Sequence, residues 1–106
     1  MSISRVEAER IAFARTVRVT SERLIVELTD GREISVPLRW YPRLAHGRPE
    51  EHQRWELIGR GMGIHWPDLD EDISVEGMLA GRRSGESSPS IQRWLQSRQS
   101  RQSSSQ

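Results

Sequence analysis

The sequence contains no cysteine, and it has only one phenylalanine and one tyrosine. Without cysteine the chain has no disulfide, no thiolate nucleophile and none of the common structural zinc sites. No run approaches the roughly 18 apolar residues that a membrane-spanning helix requires. The first ten residues carry acids instead of the apolar stretch of a signal peptide. We therefore expect a cytoplasmic protein without membrane contact.

Lysine is also absent, so arginine supplies all sixteen basic side chains. Arginine binds phosphate and carboxylate groups in a bidentate manner, but codon usage in a GC-rich genome also explains arginines that are scattered over every segment. The charge is unevenly distributed. Residues 1–80 hold 11 arginines against 14 acids, whereas residues 81–106 hold 5 arginines against one acid. The body of the chain is mildly acidic and its tail is basic.

Alternating apolar residues predict three antiparallel strands in a meander. The strands cover residues 16–20, 23–28 and 32–38. Asp30-Gly31 is a two-residue hairpin signal, because a type I′ turn needs positive φ at both residues. Pro37 cannot donate a ladder hydrogen bond and ends the third strand or places it at an edge. A further strand is predicted at 55–58, and 62–66 continues it after a glycine-rich break.

Short helical segments are predicted around these strands. They cover residues 4–13, 41–46, 49–51, 74–80 and 89–98. Ser4 and Glu7 have the spacing of a capping box, and Ser74 caps a helix that Ile73 and Met78 flank as a hydrophobic staple. The expected fold is α+β: one small antiparallel sheet of four or five strands, with short helices packed on one face and a C-terminal amphipathic helix.

The chain divides into three parts by composition. Residues 1–81 form the α+β domain, 82–98 hold a linker and the C-terminal helix, and 99–106 are a Ser/Gln/Arg-rich tail that we expect to be disordered. The four tryptophans are expected to serve as core residues. The predicted core contains Val17, Val19, Leu24, Val26, Leu28, Ile34, Val36, Leu38, Leu57, Ile64, Trp66 and Leu79.

One acidic segment and one glycine-rich segment resemble ligand-binding motifs, but each departs from the pattern that its motif requires. Asp68, Asp70 and Asp72 match the first three ligand positions of an EF-hand loop, yet the later positions lack the required glycine and glutamate. We expect a structural loop and no metal site. The glycines at 59–63 lead into a strand and not into a helix N-terminus, so we expect a turn and no phosphate site.

The histidines His46, His52 and His65 lie in three different segments without metal-ligand spacing. Acid–base cleavage of a phosphodiester would require at least two of them to share a cleft, and nothing in the sequence brings them together. We therefore expect no catalytic residues and no cofactor.

The C-terminal helix is the predicted contact element. Ile91, Trp94 and Leu95 share one helix face at i, i+3 and i+4, and a helix of about three turns is marginal in water unless it packs on something. There are three alternatives for the surface on which this helix packs: its own sheet, a second copy of the chain or a foreign partner. The predicted partner-binding residues are Ile91, Trp94, Leu95, Arg82, Arg83, Arg93 and Arg98.

Several segments resemble the bacterial family named domain of unknown function 2442. They are the Asp-Gly hairpin, the runs ISVPL at 34–38 and WYPRL at 40–44, and the block 55–81 with its HWPDLDED run. The resemblance covers about residues 16–81. Family members usually carry Ser or Thr where this chain has Arg48, so the helix that starts there is expected to be less well capped.

The resemblance implies a small bacterial α+β domain without established catalytic residues. It also implies a gene that often lies beside one for a small toxin-like partner, and sometimes a neighbouring helix-turn-helix domain. The leading hypothesis is a non-enzymatic protein-binding module, the antitoxin-like member of a two-gene toxin–antitoxin pair. Its partner would be a small toxin-like protein, with a homodimer as a further option. The alternatives are a nucleic-acid-binding regulatory protein acting through the arginine-rich C-terminal segment and a histidine-dependent ribonuclease.

Overall fold

The computed structural model describes residues 13–104, with side chains as far as Gln99. The helix predicted over 4–13 lies outside this range except for Phe13, which is not helical. None of the helices in the described range is long and apolar enough to cross a membrane.

The first sheet is the predicted meander. Strands β1 (Ala14–Val19), β2 (Arg23–Leu28) and β3 (Glu33–Pro37) pair antiparallel in the order β1-β2-β3. Val17 lies opposite Val26, and Val26 opposite Ile34, so one face of the sheet is apolar. At the hairpin Gly31 takes φ +94° and the Asp30 carboxylate accepts the Arg32 N–H at 3.0 Å. The strand pairing predicted from the alternation is confirmed. The predicted type I′ turn is wrong, because Gly31 has positive φ and Asp30 does not.

The prediction of one sheet of four or five strands is wrong, because the described strands form two separate three-stranded sheets. The second sheet contains β4 (Glu56–Ile58), β5 (Gly63–Trp66) and β6 (Glu71–Ser74). A 3-10 turn at Leu38–Trp40 stops the first sheet directly after Pro37. The sequence predicts an acidic loop where β6 lies, because only Ile73 among the four residues of this strand is apolar.

The helices are short except for the last. They are α1 (Pro42–Ala45), α2 (Pro49–His52), α3 (Val75–Leu79) and α4 (Ser88–Ser104). Ser74 Oγ accepts the Gly77 N–H at 2.9 Å, which confirms the predicted cap of α3. Helix α4 continues six residues beyond the predicted end at Arg98. This stretch contains neither glycine nor proline, and extending an existing helix costs little free energy.

One hydrophobic core serves both sheets. The predicted residues Leu24, Val26, Leu28, Val36, Leu38, Ile64 and Trp66 are buried, and Val17, Val19 and Ile34 are partly buried against them. Two core predictions are wrong, since Leu57 is 41% and Leu79 is 47% exposed. Leu57 lies on an edge strand with all three residues exposed. In α3, Val75 and Met78 turn towards the core, and Leu79 follows Met78 on the outward side.

A substitution at Gly61 tests the junction between the two sheets. Gly61 takes φ +105°, and an added Cβ would lie 2.5 Å from the carbonyl oxygen of Ala14. The matched control is Gly81, which also has positive φ (+73°) but no atom within 4 Å of the added Cβ. We expect Gly81→Ala to destabilise by about 1–2 kcal/mol through backbone strain and Gly61→Ala by about 1–3 kcal/mol more through the clash. Equal free energies of unfolding in denaturant titrations would contradict this account of the junction.

Candidate partner-binding site

A cleft of about 690 Å³ runs beside strand β1. One wall is residues 17–21, the second half of β1 and the turn that follows it. The opposite wall comes from α1, α2 and the segment before β4, and it includes Ala45, Pro49 and Trp55. The cleft therefore lies between an edge strand and the helices that connect the two sheets.

The edge of β1 that borders the cleft carries unpaired backbone groups. Thr20 N–H donates to Arg23 O at 2.9 Å across the hairpin, and the backbone bonds of an antiparallel pair alternate along each strand. Arg18, opposite Ile25, therefore bonds to β2, whereas the N–H and C=O groups of Val17 and Val19 point away from β2. Among the described residues, neither valine has a backbone hydrogen bond to another element on that side.

Apolar side chains form the base of the cleft. Val17, Val19 and Trp55 are partly buried against the core, and Leu38 is buried beneath them. His52 also lines the cleft, but its Nε2 lies 2.6 Å from Leu44 O and so donates to that carbonyl. No carboxylate lines this cleft within the described part of the chain. The cleft thus combines an apolar base, free backbone groups and the positive charge of one arginine, Arg18.

The apolar face of α4 packs on its own domain. Ile91 is 8% exposed, and Trp94 and Leu95 are half-buried. Two guanidinium groups contact the Trp94 ring, with Arg43 Cζ 5.2 Å and Arg98 Cζ 4.8 Å from the ring centroid. The first of the three sequence alternatives, packing on the same chain, is the arrangement in the structure.

Arg98 forms a buried bidentate ion pair with Glu51 of α2. Its two terminal nitrogens lie 2.8 and 3.2 Å from the Glu51 oxygens, and the two side chains are only 15% and 7% exposed. Glu51 also accepts the Arg48 N–H at 2.9 Å, so its side chain caps the start of α2. Burial alone would raise the pKa of Glu51, but Arg98 and the Arg48 N–H together lower it below its ordinary value.

A second ion pair holds the start of α4 to α1. Arg43 Nη2 lies 2.6 Å from Glu86 Oε2, and both side chains are largely buried. Glu86 also accepts from Ser90 Oγ at 2.6 Å, and the bond from Arg43 lowers its pKa. Two arginine–carboxylate pairs therefore hold this part of the chain, one at Glu86 just before α4 and one at Arg98 within the helix.

The remaining predicted contact arginines are exposed. Arg82 points away from the core at 3.9 Å from Glu76, and Arg93 lies on the outer side of α4. Arg83 covers the Trp40 ring at 5.0 Å. Of the seven predicted contact residues, four thus face their own domain: Ile91, Trp94, Leu95 and Arg98. Arg83 covers Trp40 at the surface, and Arg82 and Arg93 face outward.

The three aspartates of the acidic segment bind three different basic residues. Arg54 bonds to Asp68 at 2.9 Å, Arg43 reaches Asp70 at 3.3 Å, and His65 bonds to Asp72. In the range 13–104, no cluster of three His, Asp or Glu side chains has the arrangement of a metal site. The segment forms a turn and strand β6, and its carboxylates hold neighbouring elements together.

The histidines are in separate places, and only His52 lines the β1 cleft. His65 lies on the outer face of the second sheet, in one row with Glu56 of β4 and Asp72 of β6. The hydrogen bond to Asp72 raises the pKa of His65.

Glu71 was missed because it sits in a run of acids that resembles a solvated loop. In β6 it lies opposite Trp66 and points inward, and burial raises its pKa. One of its oxygens accepts the Asp72 N–H at 3.1 Å. The other is buried without a hydrogen-bond partner among the described residues.

Comparison with known proteins gives one family and two similar structures. The sequence profile described as "Protein of unknown function (DUF2442)" matches residues 14–84. A crystal structure of a protein of unknown function from Rhodospirillum rubrum ATCC 11170 has a TM-score of 0.63 and 31% identity, over 72% of this chain and 94% of that chain. The solution structure of the uncharacterised protein CV0863 from Chromobacterium violaceum has a TM-score of 0.63 and 26% identity, over 79% and 81%. No curated protein matches the chain.

Removing Arg98 tests how α4 is held. We expect Arg98→Met to destabilise by about 1.5–3 kcal/mol, because it leaves the buried Glu51 carboxylate without its charged partner. Since the folded pKa of Glu51 is lowered, the stabilisation is present above the unfolded pKa and is lost as pH falls through the folded pKa. The difference from the wild type should therefore shrink in acid. Denaturant titrations followed by tryptophan fluorescence measure it, and the exposed Arg93→Met serves as the control with almost no effect. A loss at Arg98 no greater than at Arg93 would show that the pair contributes nothing.

The hydrogen bond between His65 and Asp72 on the outer face of the second sheet can be tested by proton NMR titration. We expect His65 to titrate above the ordinary histidine pKa, and Asp72→Asn to shift its pKa downward. Asp70→Asn, which removes only a distant charge, should shift it less. Because the folded pKa is raised, the pair stabilises the fold below the unfolded histidine pKa and loses this effect as pH rises through the folded pKa. Equal shifts in the two variants would contradict the assignment to Asp72.

Proposed function

We propose that this chain, which belongs to the DUF2442 family, is a protein-binding module that holds a segment of another protein in the cleft beside β1. The observation that carries the proposal is the combination of unpaired backbone groups along β1 and the apolar base formed by Val17, Val19, Leu38 and Trp55. Free strand edges favour association with another chain, and apolar clefts beside them give side chains a place to bury.

The position of α4 favours this cleft over the C-terminal helix as the contact site. The apolar face of α4 already covers its own domain, and the Arg98–Glu51 and Arg43–Glu86 pairs hold the helix and the segment before it. A partner that used this face would first have to break two largely buried ion pairs, which is costly. The β1 cleft requires no such rearrangement.

For the finer assignment, we propose an antitoxin-like protein that binds a small toxin-like product of a neighbouring gene. The support is the gene arrangement that the family resemblance implies. Binding to such a partner needs no reaction chemistry from this chain, and the proposed module is accordingly non-enzymatic and free of cofactor.

Co-purification with the product of the adjacent gene tests the proposal. We expect a complex with micromolar or tighter affinity that depends weakly on salt, because its core is apolar. Ala45→Arg fills the cleft from the wall opposite β1 and should weaken the complex about tenfold or more, a loss of at least about 1.4 kcal/mol. His46→Arg is the matched control, since His46 is the next residue, is equally exposed and does not line the cleft.

Three results would contradict the proposal. The first is no binding at micromolar concentrations, and the second is equal weakening by both substitutions. The third is nucleic acid in the purified complex together with a steep fall of affinity with salt, which would indicate phosphate contacts and favour the exposed arginines Arg82, Arg83 and Arg93.

A further inference from the structure

We infer that the partner segment binds as an added β-strand along β1, and that it is an extended apolar stretch flanked by carboxylates. This inference rests on the proposed function and specifies how the cleft is used. It assigns the outward N–H and C=O groups of Val17 and Val19 as the backbone partners of the added strand.

The geometry of β1 suits a short added strand. Between the bulge and the turn, the extended stretch Thr16–Val19 offers an edge of roughly 14 Å at about 3.4 Å per residue. Hydrogen-bonding groups on a free antiparallel edge recur at every second residue, so Val17 and Val19 present two consecutive sets. Alternate side chains of an added strand would point to the face that carries Val17, Val19 and Trp55.

The other strand edges in the described range are protected, and this one is not. Edge strands avoid pairing through proline, charge or short length. In this chain β3 ends in Pro37, β4 has only three residues, and β6 carries Glu71 and Asp72. The stretch Thr16–Val19 has no proline and no carboxylate, and its single charge is Arg18. A bulge between Ala14 and Thr16 disturbs only the far end of β1, away from the cleft.

The charge around this edge selects for an acidic segment. Arg18 is the charged residue of β1 that lines the cleft, whereas Arg15 lies farther along the strand and is already paired with Glu27. No carboxylate lines the cleft within the described part of the chain. A partner strand with carboxylates at its ends would find complementary charge there, whereas one with lysines would meet repulsion. The apolar base requires that the residues between these ends be β-branched or aromatic.

A synthetic peptide serves as the probe. We would titrate the capped heptapeptide Asp-Val-Thr-Val-Thr-Val-Asp into the ¹⁵N-labelled full chain and follow amide shifts and hydrogen exchange by NMR. The expected result is a set of shifts confined to residues 17–21 and the Trp55 indole, with slower exchange at Val17 and Val19. Replacing both flanking aspartates by lysine should weaken binding about fivefold or more, because rim charges are then repulsive.

A proline substitution isolates the backbone contribution. Val19→Pro removes an N–H that points into the cleft and does not bond to β2, so the meander should stay intact while peptide affinity falls about tenfold. Val19→Ala keeps the N–H but shortens the apolar side chain, so it should weaken binding less than Val19→Pro does, and the difference between the two variants measures the backbone contribution. Thermal unfolding verifies that both variants are folded, and the exchange data on the wild type do not depend on either of them.

The inference is overturned if the peptide does not bind, if the shifts fall elsewhere, if the lysine peptide binds equally well, or if a folded Val19→Pro variant keeps its affinity. The two proposals fail separately. A complex with the adjacent gene product that tolerates Val19→Pro would preserve the binding module and reject strand addition. A peptide that binds as expected to a chain without such a complex would preserve strand addition and reject the assigned partner.

Discussion

The whole structure depends on one small core that two three-stranded sheets must share. Neither sheet is large enough to bury an apolar face alone, so Leu24 and Val26 of the first and Ile64 and Trp66 of the second meet in a single cluster. The Trp66 indole N–H donates to His52 O at 3.1 Å, which joins the second sheet to α2. Because α2 is fixed in this way, it also stands beside β1 as the second wall of the cleft.

Ion pairs and arginine–tryptophan contacts attach helix α4 to the rest of the domain. Helix α4 contributes one row of side chains to the domain, in which Ile91 is buried and Trp94 contacts the guanidinium groups of Arg43 and Arg98. These pairs are largely shielded from water, so they are not weakened by solvent in the way that surface pairs such as Arg32–Asp30 are. The arginine-rich composition therefore has a structural use: four arginines that bind carboxylates or aromatic rings (Arg43, Arg54, Arg83 and Arg98) connect elements that are distant in sequence.

Local sequence signals made the first sheet and the short helices predictable. Strand β6 and the cleft depend on contacts between residues distant in sequence, and they were not predictable. The Asp30-Gly31 hairpin, the Ser74 cap and the Ile91–Trp94–Leu95 face each need only a few neighbouring residues to be recognised. Strand β6 has no such signal, because Glu71 turns inward only once it pairs opposite Trp66. The cleft could not be predicted at all, since its walls are separated by some 25 residues and meet only through the shared core.

The cleft follows from the same shortage of apolar surface that forces the sheets to share a core. Val17 and Val19 are only partly buried, because α2 covers them from the side and leaves a gap above Trp55. A chain with a larger core would close this gap with another strand or a longer helix. Here the gap leaves apolar side chains and free backbone groups together at one edge, and the strand addition proposed above would satisfy both at once.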